Sequence, residues 1–280
     1  MYVLPTLATH FAMHPSQPVV LTIAGSDSGG GAGIQADIKT FAALGCHGVS
    51  ALTAVTAQNT RQVVAVWKVP LDMLRAQLDA LFGDFDIKAV KTGMLGDAHV
   101  VRDVAAALRR FAPPHIVVDP VMVATSGDSL LDPNALACLR EELIPLASLL
   151  TPNIPEAEIL LGCTINSSEL ADAASRLRQT GSAAVLLKGG HAWESGPVCD
   201  VLVDAAGTLR FEHPRLPLVG HGTGCTLAAA CTAYLARGAE LRSATASAID
   251  YVHAALRLAF KPGLGNVAVL NHFAAGREHS

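Results

Sequence analysis

Short apolar runs recur along this 280-residue chain, and they constrain its fold more than any other feature. Strands that are buried on both faces have this continuous apolar character, whereas half-exposed strands alternate. Alanine-rich helical patterns separate the runs, and such alternation predicts an α/β domain with a mostly parallel, doubly wound sheet. The five runs are Val19–Ala24, Ile87–Val90, Ile116–Val118, Ser148–Leu150 and Ala184–Leu187. The helical patterns are Ile34–Leu44, Leu71–Phe82, Val100–Phe111, Pro133–Glu142 and Glu169–Gln179.

Two later runs, Val198–Val203 and Leu209–Glu212, are separated by a short segment that contains Gly207. This spacing predicts a hairpin that extends the sheet with antiparallel strands. No linker, repeat or low-complexity tract divides the chain, which predicts one domain over residues 18–273. Residues 1–17 lack a basic stretch followed by an apolar run, so we interpret them as a loose leader rather than a signal peptide. Residues 274–280 are interpreted as a tail.

Polar or glycine-rich residues follow every one of the five apolar runs. They occupy positions 25–27, 91–94, 119–122, 151–153 and 188–191. In open α/β sheets, ligands bind along the edge formed by the carboxyl ends of the strands. Any single strand end can be polar simply because it enters a loop. Five together, with two lysines, an aspartate and an asparagine among them, predict a binding site at this edge.

Composition excludes several classes of function. The formal net charge of −4 is scattered without a basic stripe, which argues against a nucleic-acid partner. The uncharged stretch Thr226–Ala236 is far shorter than the ~20 residues that a membrane span needs. The six cysteines form no CxxC pair, so neither a zinc site nor a redox pair is indicated. We therefore expect reduced thiols in a soluble, cytoplasmic protein.

The first glycine-rich segment, Gly25–Gly33, lies between a predicted strand and a predicted helix. A dinucleotide fingerprint would require an acidic residue roughly 20 positions further on, but no Asp or Glu occurs between Ile38 and Leu71. A Walker-type loop is excluded because the chain contains no Gly-Lys pair. The segment is either a ligand cradle or a tight turn without function. Asp37 could accept hydrogen bonds from a ligand, or merely complement the helix dipole.

The second glycine-rich segment, His221–Cys225, precedes the helical pattern at Thr226–Ala236. Backbone N–H groups at such a helix start converge on one point and favour an anion. We therefore predict phosphate transfer at the turn formed by Gly222, Thr223, Gly224 and Cys225. The same field should lower the pKa of the Cys225 thiol, so that a thiolate could take a proton from a substrate hydroxyl. The alternative is an inert thiol packed in the core.

The segment Thr151–Glu156 places an amide, Asn153, three residues before a carboxylate, Glu156. Oxygen ligands of this kind suit Mg²⁺, usually through water. The same spacing also fits an ordinary helix start, with Asn153 as the cap. Lys91 and Lys188 could each neutralise a phosphate or extend into solvent at the rim of the site.

Eight segments occur in an order that matches a known family. The chain resembles the hydroxymethylpyrimidine/phosphomethylpyrimidine kinases of the ribokinase-like superfamily over about Val19 to Asp250. The resemblance implies a three-layer αβα sandwich and two successive ATP-dependent phosphorylations of a hydroxymethylpyrimidine in thiamine biosynthesis, with Mg²⁺. Relatives are commonly homodimers. The matching segments are AGSDSGGGAGIQADIKTF, TAQNT, KTGML, DPVM, SGDSLL, LTPNIPEAEILLG, LLKGGH and HGTGCT.

The resemblance also assigns roles to individual residues. It implies that the Gly222–Cys225 turn is the anion hole and that Asn153 and Glu156 lie near Mg²⁺. The positions that match the pyrimidine site are Gly25, Asp37, Gln58, Met94 and Val121. The positions that match the surroundings of the nucleotide phosphates are Asp119, Lys188 and Thr151.

Two other functions remain open at this level. A pyridoxal kinase of the same branch shares the AGSD and GTGC segments, although Gln58 and Asn59 in TAQNT fit the pyrimidine kinases better. A pyrimidine-binding sensor without catalysis is the second alternative. The intact set of Cys225, Asn153, Glu156 and Lys188 argues against it, because a sensor has no need of a phosphate-transfer apparatus.

Overall fold

The computed structural model describes residues 17–122, 132–190 and 196–278. The predicted leader, except for Gln17, lies outside these residues, as do the SGDSLL segment, His191 and the last two residues of the predicted tail. Within the described ranges, nine strands form the main sheet and two form a small parallel sheet. The strands are β1 Val19–Asp27, β2 His47–Gln58, β3 Val63–Lys68, β4 Ile87–Thr92, β5 His115–Val118, β6 Leu149–Leu150, β7 Val185–Leu187, β8 Val198–Asp204, β9 Gly207–His213, β10 Gly220–His221 and β11 Ala268–Val269.

Helices cover both faces of the main sheet. No helix in the described part of the chain combines the length and the apolar character that a membrane span requires. The helices are α1 Gly33–Ala43, α2 Leu71–Asp84, α3 Ala98–Phe111, α4 Pro133–Cys138, α5 Ile154–Leu161, α6 Leu170–Arg178, α7 Thr223–Ala236, α8 Leu241–Arg257 and α9 His272–Glu278.

The main sheet has the strand order β3-β2-β1-β4-β5-β6-β7-β8-β9. The six strands from β2 to β7 in this order are parallel, and β3, β8 and β9 extend the two edges antiparallel. The predicted parallel sheet and the predicted hairpin are therefore confirmed. Strand β1 lies between β2 and β4, so the chain reverses its direction of winding there. Ligands of doubly wound sheets bind at this kind of switch point.

The apolar core consists of two layers, one on each face of the sheet, and this explains the continuous apolar runs. Along β1, Leu21 and Ile23 face one layer, whereas Val20 faces the other. Helices α2, α3, α5 and α6 cover the first layer, and α1, α7, α8 and α9 cover the second. Each buried aliphatic side chain contributes about 1.5–3 kcal/mol relative to an exposed one, so both faces stabilise the sheet.

Several elements differ from the expectations. Strands β2 and β3 and helix α8 were not predicted. Strand β2 mixes threonine with small residues and therefore lacks the continuous apolar run that marked the other core strands. The predicted helix Pro133–Glu142 ends as α4 at Cys138, and Leu139–Leu143 continues it as a wider π-helical turn. The interpretation of residues from Ala274 as a tail is corrected, since 274–278 belong to α9, which packs against α1 and α8.

Candidate active site

Asp27, at the end of β1, organises the first glycine-rich loop. Its carboxylate accepts hydrogen bonds from the backbone N–H groups of Gly29 (2.8 Å), Gly31 (3.0 Å) and Ala32 (2.8 Å). The side chain is buried, and burial alone would raise its pKa. Hydrogen bonds from His221 and from the loop amides outweigh burial and hold the pKa of Asp27 below its usual range. Asp27 is therefore an ionised anchor for the loop.

The two glycine-rich segments are in direct contact. Nε2 of His221 lies 3.1 Å from Oδ2 of Asp27, so the second segment is tied to the anchor of the first. Gly222 has a φ of +80°, and a Cβ at this position would collide with the carbonyl oxygen of Gly31. Only glycine fits this backbone approach. The structure thus brings together the two loops that sequence reasoning treated separately.

Helix α7 begins immediately after Gly222, and no side chain of the described residues caps it. The first bond inside the helix runs from Thr226 N–H to Gly222 C=O at 2.9 Å. The N–H groups of Thr223, Gly224 and Cys225 therefore have no acceptor within the helix. Free N–H groups and the helix dipole at such a start favour an anion, and the anion site at this turn stays a prediction.

Lys188 reaches this turn from the end of β7. A Cβ built on Gly224 would lie 3.0 Å from Nζ of Lys188, so the ammonium group borders the helix start directly. Nζ also donates to Oδ1 of Asp119 at 2.9 Å. Burial would lower the pKa of Lys188, but the carboxylates of Asp119 and Glu156 raise it. The lysine is therefore a stable positive charge beside the anion site.

Thr151 supports this ion pair from below. It is fully buried, and its hydroxyl lies 3.3 Å from Oδ1 of Asp119 and 3.4 Å from the carbonyl of Val118. The contact between Thr151 and a nucleotide stays a prediction, and in the described structure the hydroxyl contacts Asp119 and the strand.

Asn153 and Glu156 form a capping box at the start of α5. The amide oxygen of Asn153 accepts from Glu156 N–H at 2.9 Å, and Oε2 of Glu156 accepts from Asn153 N–H at 2.8 Å. The described residues contain no cluster of three or more His, Cys, Asp or Glu suited to a metal ion. Because the side-chain oxygen of Asn153 already accepts from the helix start, Mg²⁺ would depend on the carboxylates of Glu156 and Asp119.

The carboxyl group of Glu156 is strongly perturbed. Burial raises its pKa to about 7, with Lys188 opposing the shift and Asp119 adding to it. A buried carboxylate with this much uncompensated charge is a group that a cation would relieve. The donor chemistry therefore fits a divalent cation held by Glu156 and Asp119 together with phosphate and water oxygens.

The raised pKa of Glu156 has a measurable consequence for stability in EDTA. A carboxyl that binds its proton more tightly in the folded state contributes stability at low pH and loses it as pH rises toward 7. We expect Glu156→Gln, which keeps the capping box, to gain up to ~3 kcal/mol over the wild type between pH 5 and pH 8. Chemical denaturation at several pH values would measure this difference.

The matched control is Glu169→Gln. Glu169 forms the same capping box with Asn166, but at an exposed site where hydrogen bonds from Asn166 lower its pKa. This variant should gain no stability as pH rises. Parallel pH profiles for the wild type and Glu156→Gln would contradict the assignment.

Asp37 lies beneath the site rather than in it. Its carboxylate accepts from Nζ of Lys91 at 2.9 and 3.0 Å and from Oγ1 of Thr22 at 2.6 Å. Asp37 and Lys91 are both 0% exposed. Burial raises the pKa of Asp37 and alone would lower that of Lys91, but the Asp37 carboxylate raises the pKa of Lys91. The two short bonds from Nζ to the carboxylate support an ion pair. The direct contact between Asp37 and a ligand stays a prediction, since the side chain is fully buried and both of its oxygens already accept hydrogen bonds from Lys91 and Thr22.

The expected thiolate at position 225 is corrected. The half-buried thiol of Cys225 has its pKa raised to about 11, chiefly by burial. Lys91 lowers this pKa, but the charges of Asp119 and Asp37 offset the lysine. A thiol with a pKa raised this far is mostly protonated at pH 7, so Cys225 is not a ready general base in the ligand-free protein. The helix dipole alone predicted the opposite direction because it ignores burial and the neighbouring carboxylates.

This protonation state limits what Cys225 contributes. We expect Cys225→Ala to lower kcat by no more than ~10²-fold, the lower end of the range for losing a general base. Cys163→Ala, at a half-buried thiol after α5, is the matched control and should leave kcat unchanged. Steady-state rates from pH 6 to pH 10 measure the effect. A loss of ~10⁴-fold, with a wild-type rate that climbs steeply with pH, would instead indicate a thiolate base.

Gln58 lies at the other side of the switch point, at the end of β2. It lines a cleft of ≈ 360 Å³ together with His221, the β2–β3 turn and the loop at residues 264–267. Two more of the predicted pyrimidine-site residues, Met94 and Val121, are half-buried. The sulfur of Met94 would lie 3.1 Å from a Cβ built on Gly25. The N–H of Val121 donates to Asp119 C=O at 2.9 Å. Asp27 and His221 had no predicted role, although both lie inside the matching segments AGSDSGGGAGIQADIKTF and HGTGCT.

The solved structures identify the class of protein. The chain is similar to the pyridoxal kinase from Staphylococcus aureus in complex with pyridoxal, with a TM-score of 0.87 and 34% identity over 94% of this chain and 96% of that one. The chain is thus a ribokinase-like small-molecule kinase. Its framework is a doubly wound sheet, with an uncapped glycine turn that lies beside a buried lysine.

Sequence comparisons identify the family. A family model described as phosphomethylpyrimidine kinase matches residues 27–270. The hydroxymethylpyrimidine/phosphomethylpyrimidine kinase of Rhizobium meliloti is 49% identical over 250 residues, 88% of this chain and 93% of that protein. A thiamine biosynthesis bifunctional protein of Geobacter sulfurreducens is 51% identical over 92% of this chain, which spans only 53% of that protein. The chain belongs to the phosphomethylpyrimidine kinase family.

Proposed function

We propose that this enzyme transfers a phosphoryl group from ATP to 4-amino-5-hydroxymethyl-2-methylpyrimidine and then a second one to the monophosphate, for thiamine biosynthesis. The observation that carries the proposal is the uncapped start of α7 with Lys188 at Gly224, beside the cleft of Gln58. This arrangement supports an anion site next to a pocket for a flat polar molecule. Membership in the family supports the same substrate.

Two clefts would separate the substrates. The cleft at Gln58 would take the pyrimidine. Met94 and Val121 do not line this cleft, so their contact with the ring rests on the family resemblance alone. A second cleft of ≈ 460 Å³ is lined by residues 196–197 and 214–217. Its Arg215 donates to Gly190 C=O at 3.0 Å, two residues after Lys188, which supports this cleft as the place for the nucleotide.

The anion site would stabilise the charge that develops during transfer. Phosphoryl transfer has a loose transition state, so positioning and electrostatic stabilisation supply most of the catalysis. The N–H groups of Thr223, Gly224 and Cys225 and the ammonium of Lys188 are fixed before the reaction, and such preorganised donors are effective for this reason. Glu156 and Asp119 would hold Mg²⁺, which neutralises phosphate charge when bound.

Steady-state assays with MgATP would test the proposal. The pyrimidine alcohol, its monophosphate and pyridoxal would be compared as acceptors, with ADP release as the readout. We expect turnover of both pyrimidines. Absence of turnover with either pyrimidine would refute the proposal, and binding without ATP consumption would support the sensor instead.

Pyridoxal phosphorylation is the second candidate activity. The similarity to a pyridoxal kinase over 94% of the chain favours it as a side activity. The same assays decide between the two, because a kcat/KM for pyridoxal above that for the pyrimidine alcohol would reverse the order of the candidates.

We also propose a homodimer that covers the β2–β3 ribbon. Strand β3 is the edge of the sheet, and one face of the ribbon carries Val55, Ala57, Ala65 and Trp67, all exposed. Trp67 alone is 69% exposed. An apolar face on an edge strand is a site of association, and a second copy of the chain would cover it.

Trp67→Glu is expected to convert the dimer to a monomer, because a charge at the centre of an apolar interface is costly to bury. Light scattering over a range of concentrations measures the mass. Val64→Glu is the matched control, since Val64 is 64% exposed on the opposite face of the same strand and should leave the dimer intact. A wild-type protein that is monomeric throughout would disprove the interface.

The proposed location is the cytoplasm. All six cysteines are free thiols in the structure. Free thiols persist in reducing compartments, which supports this location.

A further inference from the structure

The amide group of Gln58 lies between His221 and Thr56, and the hydrogens available there decide which way it points. Its nitrogen is 3.3 Å from Nε2 of His221, and its oxygen is 3.3 Å from Oγ1 of Thr56. A half-turn about the last side-chain bond exchanges the two amide atoms with almost no change in shape. The orientation of the Gln58 amide therefore depends on which atoms of His221 and Thr56 carry a hydrogen that they can donate.

Nε2 of His221 must carry a hydrogen. It lies 3.1 Å from Oδ2 of Asp27, and the same oxygen accepts from the N–H groups of Gly31 and Ala32. A carboxylate oxygen only accepts, so a bare Nε2 would bring two lone pairs together. This single hydrogen points to Asp27, so Nε2 cannot accept from the amide nitrogen of Gln58, whereas an amide oxygen in the same place can share the hydrogen as a second, weaker acceptor. This holds for the neutral and for the protonated imidazole.

Thr56 requires the same orientation from the other side. Its hydroxyl donates to the carbonyl of Ser26 at 2.9 Å, which uses its single hydrogen. Towards Gln58 the hydroxyl oxygen can then only accept, and the amide NH₂ group is the partner that satisfies it. Both neighbours therefore favour the amide oxygen facing His221 and the NH₂ group facing Thr56.

We propose that His221, backed by Asp27, and Thr56 are positioning residues that set the amide direction of Gln58 and thereby the order of donor and acceptor offered to the substrate. The inference rests on the proposed function. A 4-aminopyrimidine presents an amino donor beside a ring-nitrogen acceptor, an edge that a side-chain amide pairs with bidentately, as it does with adenine. Pyridoxal has no amino group beside its ring nitrogen. A fixed amide therefore selects the aminopyrimidine.

The test compares two acceptors, the pyrimidine alcohol and its analogue with hydrogen in place of the 4-amino group. In the wild type, kcat/KM should favour the amino compound by about tenfold or more, the range for a bidentate contact. His221→Leu and Thr56→Val should each reduce this preference by about fivefold or more, chiefly through a higher KM for the amino compound. His221→Gln keeps an N–H donor and should restore part of the preference.

The matched control is Thr60→Val, in the same cleft, whose hydroxyl accepts from Gly265 N–H instead. It should leave the preference unchanged. If His221→Leu does not fold, Thr56→Val decides, since it exchanges one hydroxyl for a methyl group. Equal losses for both acceptors, or an unchanged preference, would overturn the inference while leaving the proposed function intact. A wild type that phosphorylates neither acceptor would overturn the proposed function and the inference with it.

Discussion

Replacement of Lys188 by methionine is expected to lower kcat by ~10³-fold, with little change in the KM for the pyrimidine alcohol. The ammonium group of Lys188 borders the start of α7. Removing one preorganised donor to a developing oxyanion lowers kcat by ~10²–10³-fold. Removing a positive charge at a transferring phosphoryl group lowers kcat further. Methionine keeps the apolar length of the side chain. In the proposed arrangement the alcohol binds in the cleft of Gln58, which Lys188 does not line, so its ground-state binding should be preserved.

Single-turnover rates with saturating MgATP measure this loss. Because the change leaves Asp119 without its partner, thermal unfolding of the same variant shows whether the fold is retained. Lys88→Met, at an exposed lysine on β4, is the control and should have wild-type activity. A decrease of less than about tenfold would show that the helix start alone stabilises the charge.

Lys91→Met is expected to have the largest effect on stability. It leaves the fully buried carboxylate of Asp37 with only the Thr22 hydroxyl as a partner. Removing one member of a buried ion pair costs ~3–5 kcal/mol, because the remaining charge is buried without compensation. Chemical denaturation of the ligand-free protein would measure the change in the free energy of unfolding.

The double variant Asp37→Asn/Lys91→Met separates charge from packing. It removes both charges, and the asparagine oxygen can still accept from Thr22. We expect it to recover most of the stability lost in Lys91→Met, since replacing a whole buried pair is often nearly neutral. A double variant as unstable as the single one would show that packing around Lys91, and not the charge on Asp37, causes the loss.

The sheet and the location of the site could be predicted from the sequence because both depend on local patterns. Runs such as Val19–Ala24 are apolar at every position, since alternate side chains enter opposite core layers. Strand β2 has no such run. Its threonines Thr53 and Thr56 are buried on the side of the site, while Val55 and Ala57 face out, so its pattern resembles neither a core strand nor a loop.

The roles of individual side chains depended on partners that are distant in the chain. Asp37 is separated from Lys91 by 54 residues, and only the folded chain shows that the two neutralise each other beneath the site. The thiol of Cys225 has its pKa raised by burial and by two carboxylates from other elements. Asn153 and Glu156 fitted both a metal site and a capping box, and the structure assigns Asn153 to the helix start.

The contact between the two glycine-rich loops has a consequence for how this enzyme can diverge. At position 222 the obstacle is the backbone of Gly31, which no change of a neighbouring side chain can remove. At position 224 the obstacle is the flexible end of Lys188, which can shift. Homologous sequences should therefore tolerate small residues at 224 before any at 222. Single substitutions can therefore change the chemistry of the turn at position 224, whereas the contact between Gly222 and Gly31 should be retained in every homologue that keeps this fold.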